Sequence, residues 1–177
     1  MLQLTCMDFE TVIKNRISVR TFLPKPVEKE KINTILELTT LAPSAGNLQA
    51  YKIFVIQKTE TMKLIDVNIG GTKRTLADVA PLVLVFCANP QESASKYAKR
   101  GITMYSIQDA TIASAHAQLI ASSLHLGTCW VGSFEETQVQ QALKTDLPVI
   151  SLLLVGYPTE TPVKRPKKSI SQLSTFM

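Results

Sequence analysis

Arg16, Ser18 and Arg20 alternate along the segment Arg16-Ile17-Ser18-Val19-Arg20-Thr21-Phe22. In an extended chain, residues two apart face the same side. Two guanidinium groups and a hydroxyl are therefore presented together, while Val19 and Phe22 hold the segment in place. That set is suited to gripping an anion. The planar arginine fork makes two parallel hydrogen bonds to a phosphate or a carbonyl edge and stays charged at physiological pH. The same spacing also fits solvated arginines at a helix end, set against the helix dipole or a surface carboxylate.

A second polar cluster, Pro43-Ser44-Ala45-Gly46-Asn47, combines small residues that let a ligand approach the backbone with a hydroxyl and an amide that read a ring edge. Its composition is equally that of a loop that stops a helix. Gly132-Ser133 could offer backbone N–H groups to a ring beside Trp130, or form an ordinary turn next to a buried tryptophan. His116 and His125 have no carboxylates at ligand spacing and read as core or surface histidines. Cys129 has no base in its sequence neighbourhood. No metal site is expected. Neither G-x-G-x-x-G nor G-x-x-x-x-G-K-[ST] occurs, so a bound nucleotide must be held by other means than a Rossmann or P-loop motif.

These residues need elements to carry them. Asp8 can cap a short helix with Phe9, Val12 and Ile13 on one face, which places Arg16 just after its end. Ile32, Ile35, Leu36 and Leu38 predict a helix within Val27 to Leu41, stopped by Pro43. Tyr51 to Gln57 reads as a strand, Thr59 to Ile65 as a brief helix, and the stretch holding Gly70 and Gly71 as irregular. Pro81 to Cys87 is apolar on both faces and belongs in mid-sheet under helices. Gln108 to Leu126 is the longest predicted helix, with Gly127 as its terminator. Thr128 to Phe134 predicts a strand running into a turn, Glu135 to Leu143 a helix, and Pro148 to Val155 a last buried strand. Between Asn89 and Ile107 no pattern is readable. The elements together predict a layered α+β or α/β sandwich.

The chain has 177 residues, 45% hydrophobic and 19% charged, enough for one domain with a sizeable core. Its net charge of +5 and pI near 9.2 raise the question of a polyanionic partner. The basic residues are scattered, and Lys164-Arg165-Pro166-Lys167-Lys168 is short and lacks interleaved aromatics, so nucleic acid is not the expected partner. No apolar run approaches a membrane span, and Met1 to Asp8 does not read as a secretory leader. The three cysteines, Cys6, Cys87 and Cys129, cannot all pair within one chain, which suits a reducing, cytoplasmic compartment. The tail from Thr159 to Met177 is too polar to build its own core.

Four segments in order resemble the nitroreductase family of FMN-dependent oxidoreductases. They are Arg16-x-Ser18-x-Arg20-x-Phe22, Ala42-Pro43-Ser44-Ala45-Gly46-Asn47-x-Gln49, Leu126-Gly127-Thr128-Cys129-Trp130-Val131-Gly132-Ser133-Phe134, and Leu154-x-Gly156-Tyr157-Pro158 with its basic tail. Each is weak alone; their order and spacing carry the resemblance, which runs from about Phe9 to Leu173. It departs at Ala50-Tyr51, where many relatives have Pro-Trp, and at Lys167, where they have an arginine whose bidentate fork a lysine lacks.

The resemblance implies a single domain, an α+β three-layer α/β/α sandwich around a mostly antiparallel sheet. It implies a homodimer with FMN at the interface and residues 159–177 wrapping the partner. By similarity Arg16 and Ser18 bind the FMN phosphate, with Arg165 and Lys167 completing that pocket, and Arg20 sits near the flavin pyrimidine edge as a possible tuning residue. The loop of Pro43, Ser44, Ala45 and Asn47 comes from the other subunit, Gly132 and Ser133 face N5 and O4, and Lys73 is a further candidate. NADH or NADPH is the implied hydride donor, and a nitroaromatic, quinone or similar small molecule the acceptor. Relatives of this shape also include flavin-fragmenting, dehalogenating and dehydrogenating enzymes. A flavin-binding module without turnover is the alternative of another class.

Overall fold

The computed structural model describes residues 7–159 and 162–177; the expectations for residues 1–6, Cys6 among them, and for residues 160–161 of the tail lie outside the described residues. Four strands, β1 (Tyr51–Ile56), β4 (Leu82–Ala88), β5 (Gly127–Val131) and β6 (Val149–Gly156), form a sheet in the order β1-β4-β6-β5. All three pairings are antiparallel. Two shorter strands, β2 (Asp66–Ile69) and β3 (Thr72–Thr75), make a separate hairpin.

Alternation along β4 explains the layers. Leu82, Leu84 and Phe86 face one core with Ile32 and Ile35 of helix α2 (Lys29–Thr39) and Ala113, Ala117 and Ala121 of helix α5 (Ser106–Ser123). Val83, Val85 and Cys87 face the other, with Met62 of α3 (Thr59–Met62), the β2–β3 hairpin and Val139 of α6 (Glu136–Leu143). Alanines four residues apart on α5 keep its buried face thin, so the helix packs closely on the sheet. Every residue of β4 is buried, as its two-sided apolar pattern predicts.

Three local expectations are corrected. The stretch around Gly70 and Gly71 is not irregular: both glycines have positive φ, 65° and 86°, and form the two-residue connection of the β2–β3 hairpin. Gly127 does not end α5. His125, at φ 63°, makes the left-handed turn, and Gly127 opens β5, where a Cβ would lie 3.0 Å from the Val19 side chain. That glycine is needed because Val19 N–H donates to the Thr128 carbonyl at 2.8 Å, laying the Ser18 segment along the sheet edge. Finally, the unreadable stretch contains helix α4 (Pro90–Arg100), a sharp reversal at Ala98 (φ 48°, ψ −133°) and a wide helical turn, Gly101–Tyr105, leading into α5. A side chain at Gly101 would collide with the Ser93 carbonyl, so glycine permits this close return.

Asp8 caps helix α1 (Phe9–Asn15) by accepting from Thr11 N–H at 3.0 Å. Just after β6, Tyr157 Oη donates to Glu28, and Lys25 pairs with the same carboxylate at 3.3 Å. The tyrosine hydrogen bond chiefly, with Lys25 adding to it, holds the Glu28 carboxyl down at about 2. A depressed folded-state value stabilises above the unfolded value of 4.5 and is lost as pH falls through about 2. Glu28→Gln is therefore expected to lower stability at pH 7 by less than about 1 kcal/mol, since the pair is exposed. In melts from pH 7 to pH 2 the difference from the parent should fade below pH 4.5; a constant offset would contradict it.

Candidate functional site

Arg16 caps the end of α1, and its carboxyl-terminal neighbours run extended. Ser18 forms a parallel bridge to Thr128 of β5, and Val19 is buried behind it. Arg20 is exposed, its Nη1 3.4 Å from the Ser18 carbonyl. Its charge reaches the β5 residue Cys129, where it opposes the larger effect of burial, which pushes that thiol up. The alternation expected from the sequence is thus realised against the edge of the sheet.

The basic tail returns to the same place. Lys164 Nζ donates to the Lys14 carbonyl at 2.7 Å. A cavity of about 410 Å³ lies between the two segments, lined by Lys14, Arg16, Ser18, Arg20, Lys164, Arg165 and Lys167 among others, with no carboxylate in its wall. Three arginines, three lysines and a hydroxyl around one open space suit a dianionic phosphate. The expected grouping of Arg16, Ser18 and Arg20 with Arg165 and Lys167 is therefore present within one chain.

Gly132 and Ser133 sit farther along the same edge. Ser18 is level with Thr128, and four residues of strand at about 3.3 Å each put Gly132 about 13 Å away. A Cβ at Gly132 would meet nothing within 4 Å, so its backbone faces open space. The β2–β3 hairpin closes on this point through Asn68 N–H to the Ser133 carbonyl at 3.0 Å. Lys73 is carried there and lines one cavity with Gly132 and Ser133. Its ammonium pairs with Asp66 at 2.9 Å. That hydrogen-bonded partner raises the Lys73 value and lowers the Asp66 value. The structure groups Lys73 with the glycine turn, not with the arginines.

The loop of Pro43, Ser44, Ala45 and Asn47 lies elsewhere. It leads into β1, the outer strand opposite β5, so three strand spacings, about 14 Å, separate the two edges. Gly46 and Asn47 both have positive φ, 58° and 59°. Ser44 Oγ accepts from Gln49 N–H at 2.9 Å, and Ala45 N–H donates to Asp109 Oδ1 at 2.8 Å. Asp109 is 2% exposed, and its second oxygen has no partner among the described residues. Sequence reasoning missed Asp109. The available signal was a lone acid in a helix otherwise free of Asp, Glu, Lys and Arg.

The remaining candidates have structural places. His116 Nδ1 lies 3.0 Å from the Ile112 carbonyl, and Trp130 is only half-buried in β5. Cys87 and Cys129 are free and buried; burial raises Cys87 to about 11. Among the described residues no cluster of His, Cys, Asp or Glu could hold a metal, and no helix is long and apolar enough to cross a membrane.

The sequence model of the Nitroreductase family matches residues 13–71 and 66–157, which takes in Arg16 to Arg20, the Ser44 loop and the Gly132 turn. The chain belongs to the nitroreductase family. Membership makes it an oxidoreductase. A Bacillus subtilis relative named FMN reductase, NAD(P)H, is 28% identical over 180 residues, covering 90% of this chain and 71% of its own. A Vibrio harveyi NADPH-flavin oxidoreductase is 25% identical, covering 89% and 68%. The crystal structure of a nitroreductase family protein from Clostridium novyi NT superposes with a TM-score of 0.76 at 27% identity, over 90% of this chain and 89% of that one. A Streptococcus pneumoniae member at 17% identity, TM-score 0.83, covers 96% and 100% and supports the three-layer nitroreductase fold.

Proposed function

We propose that this nitroreductase binds FMN between two copies of the chain and passes a hydride from NADH or NADPH to a nitroaromatic, quinone or similar small acceptor. The observation that carries this reading is the carboxylate-free cationic cavity of Arg16, Ser18, Arg20, Arg165 and Lys167, joined along β5 to the open backbone at Gly132 and Ser133. A phosphate suits the first and the edge of a planar ring the second. The chemistry supplied by the bound flavin is hydride acceptance and donation at N5.

The chain's own residues bind and orient. Arg16 and Ser18 hold the phosphate with Arg165 and Lys167, and Arg20 places positive charge beside the ring, where it stabilises negative charge that develops on reduction. Gly132 and Ser133 offer backbone donors from the β5 end, with Lys73 at their rim. Pro43 borders a loop whose Ser44, Ala45 and Asn47 of the partner subunit complete the site, because within one chain that loop lies at the other sheet edge. Exposed apolar residues support the pairing: Phe9 on α1 is 73% exposed, Leu41 75% and Phe176 of the tail 94%. Within the tail of residues 159–177, the basic run docks on its own chain, and the exposed stretch that follows it, ending past Phe176, is then the part that wraps the partner.

Anaerobic absorbance spectroscopy tests the reading. Protein reconstituted with FMN should bleach on adding NADH or NADPH and recover its yellow colour when a quinone or nitroaromatic follows, and light scattering should give the mass of two chains. Bound flavin that ignores both nicotinamides, or a monomer that binds flavin fully, would overturn it.

A further inference from the structure

The tip of the α4 hairpin carries a cationic group that the flavin reading leaves unused. Lys96 stands in α4 just before the backbone reverses at Ala98, and Lys99 and Arg100 make up the last turn. Arg100 Nε donates to Tyr105 Oη at 2.8 Å, with its guanidinium 5.2 Å from that ring. The Tyr105 ring stands edge-to-face on Tyr97 at 4.9 Å, and Lys96 Nζ lies 5.6 Å from the Tyr97 centroid. Arg100, Tyr105, Tyr97 and Lys96 are therefore in continuous contact, two aromatic rings flanked by cations, with Lys99 next in the chain to Arg100. Lys14, Lys25 and Lys73 each pair with a carboxylate, but among the described residues none pairs with Lys96, Lys99 or Arg100.

This tip touches the loop assigned above to the ring. Lys96 Nζ lies 2.7 Å from where a Cβ at Gly46 would be, and Tyr97 Oη is closer still. A molecule approaching that loop from outside therefore meets the tip. Of the two hydride donors, only NADPH carries a phosphate monoester on its adenosine ribose. A dianion beside a purine needs several N–H donors and an aromatic surface, which an arginine fork, two ammonium groups and two tyrosines provide.

We propose that Lys96, Lys99 and Arg100, with Tyr97 and Tyr105, form the seat of the adenosine 2′-phosphate, so that this chain takes NADPH in preference to NADH. The proposal rests on the hydride-transfer reading, and its test separates the two. Calorimetry on the FMN-reconstituted protein compares adenosine 2′,5′-bisphosphate with adenosine 5′-monophosphate, and stopped-flow bleaching compares the two nicotinamides. The expected result is binding of the bisphosphate about 10-fold tighter or more, a matching NADPH preference, and loss of both in Lys99→Ala/Arg100→Ala. Lys63→Ala, an exposed lysine elsewhere, should keep both and so exclude a general field effect.

Bleaching by both nicotinamides at equal rates, with the two adenosine phosphates bound equally, overturns this inference and leaves the flavin reading intact. A double variant that changes only the kinetics of an anionic acceptor overturns it too, placing the acceptor at the tip. Bleaching by neither nicotinamide overturns the flavin reading and this one with it.

Discussion

Arg16→Ala is expected to weaken FMN binding about 10- to 100-fold while leaving the melting temperature of the flavin-free protein nearly unchanged. The range follows from the net loss of one charge-assisted hydrogen bond to phosphate, worth about 1.5–3 kcal/mol, at about 1.4 kcal/mol per factor of ten. Arg16 lines the cavity, half-buried at the α1 terminus, together with Lys164 and Lys167 of the tail, and an ammonium group does not replace its fork. Arg16→Lys should fall between, because it restores the charge but not the two-pronged geometry. Quenching of free-flavin fluorescence on titration with protein measures the affinity. An unchanged dissociation constant in Arg16→Ala would place the phosphate outside this cavity. An equal loss for riboflavin, which has no phosphate, would mean that the arginine acts through the fold.

Asp109→Ala is expected to destabilise the protein by about 1–3 kcal/mol, since the Ala45 N–H loses its acceptor in a place where water does not readily replace it. For a chain of this size, each kcal/mol lowers the melting temperature by about 2–4 °C. The loss should concentrate in the Ser44–Asn47 loop, whose left-handed residues at Gly46 and Asn47 are tied to α5 by that hydrogen bond. Asp109→Asn keeps an acceptor oxygen for Ala45 and should recover much of the deficit. Hydrogen exchange at the Ala45 amide, followed beside the global melt, reads the effect directly: exchange as slow in Asp109→Ala as in the parent would show that the carboxylate does not hold the loop.

How much of this was legible in the sequence depended on whether the deciding interaction was local. β4 announced itself because Leu82 to Ala88 is apolar on both faces, and only a covered central strand buries both. Arg16, Ser18 and Arg20 were legible because alternation along an extended segment fixes their side, and the structure lays that segment against Thr128. Gly127 misled because a glycine after a long helix fits a terminator, while its reason is the approach of Val19, distant in sequence. Gly70-Gly71 carried a hairpin signal between two short strands whose polar residues, such as Lys73 and Arg74, hid their periodicity. The tip at Lys96 to Arg100 was unreadable, because a reversal at Ala98 in an otherwise helical stretch is imposed by packing of Gly101 on Ser93. Asp109 stood out in composition, yet its partner, a backbone amide 64 residues away in sequence, leaves no trace in side-chain spacing.

The two thiols sealed in the sheet give the molecule a chemical clock. Cys87 is wholly buried in β4 and Cys129 nearly so in β5, and burial keeps both in the unreactive protonated form. An alkylating reagent reaches them only when the sheet opens, so in a Cys6→Ser background the rate of modification counts openings. Any ligand that binds the closed protein slows that count by the factor by which it shifts the opening equilibrium. The interior of the sheet thus reports occupancy of a site on its edge, without reference to colour or turnover.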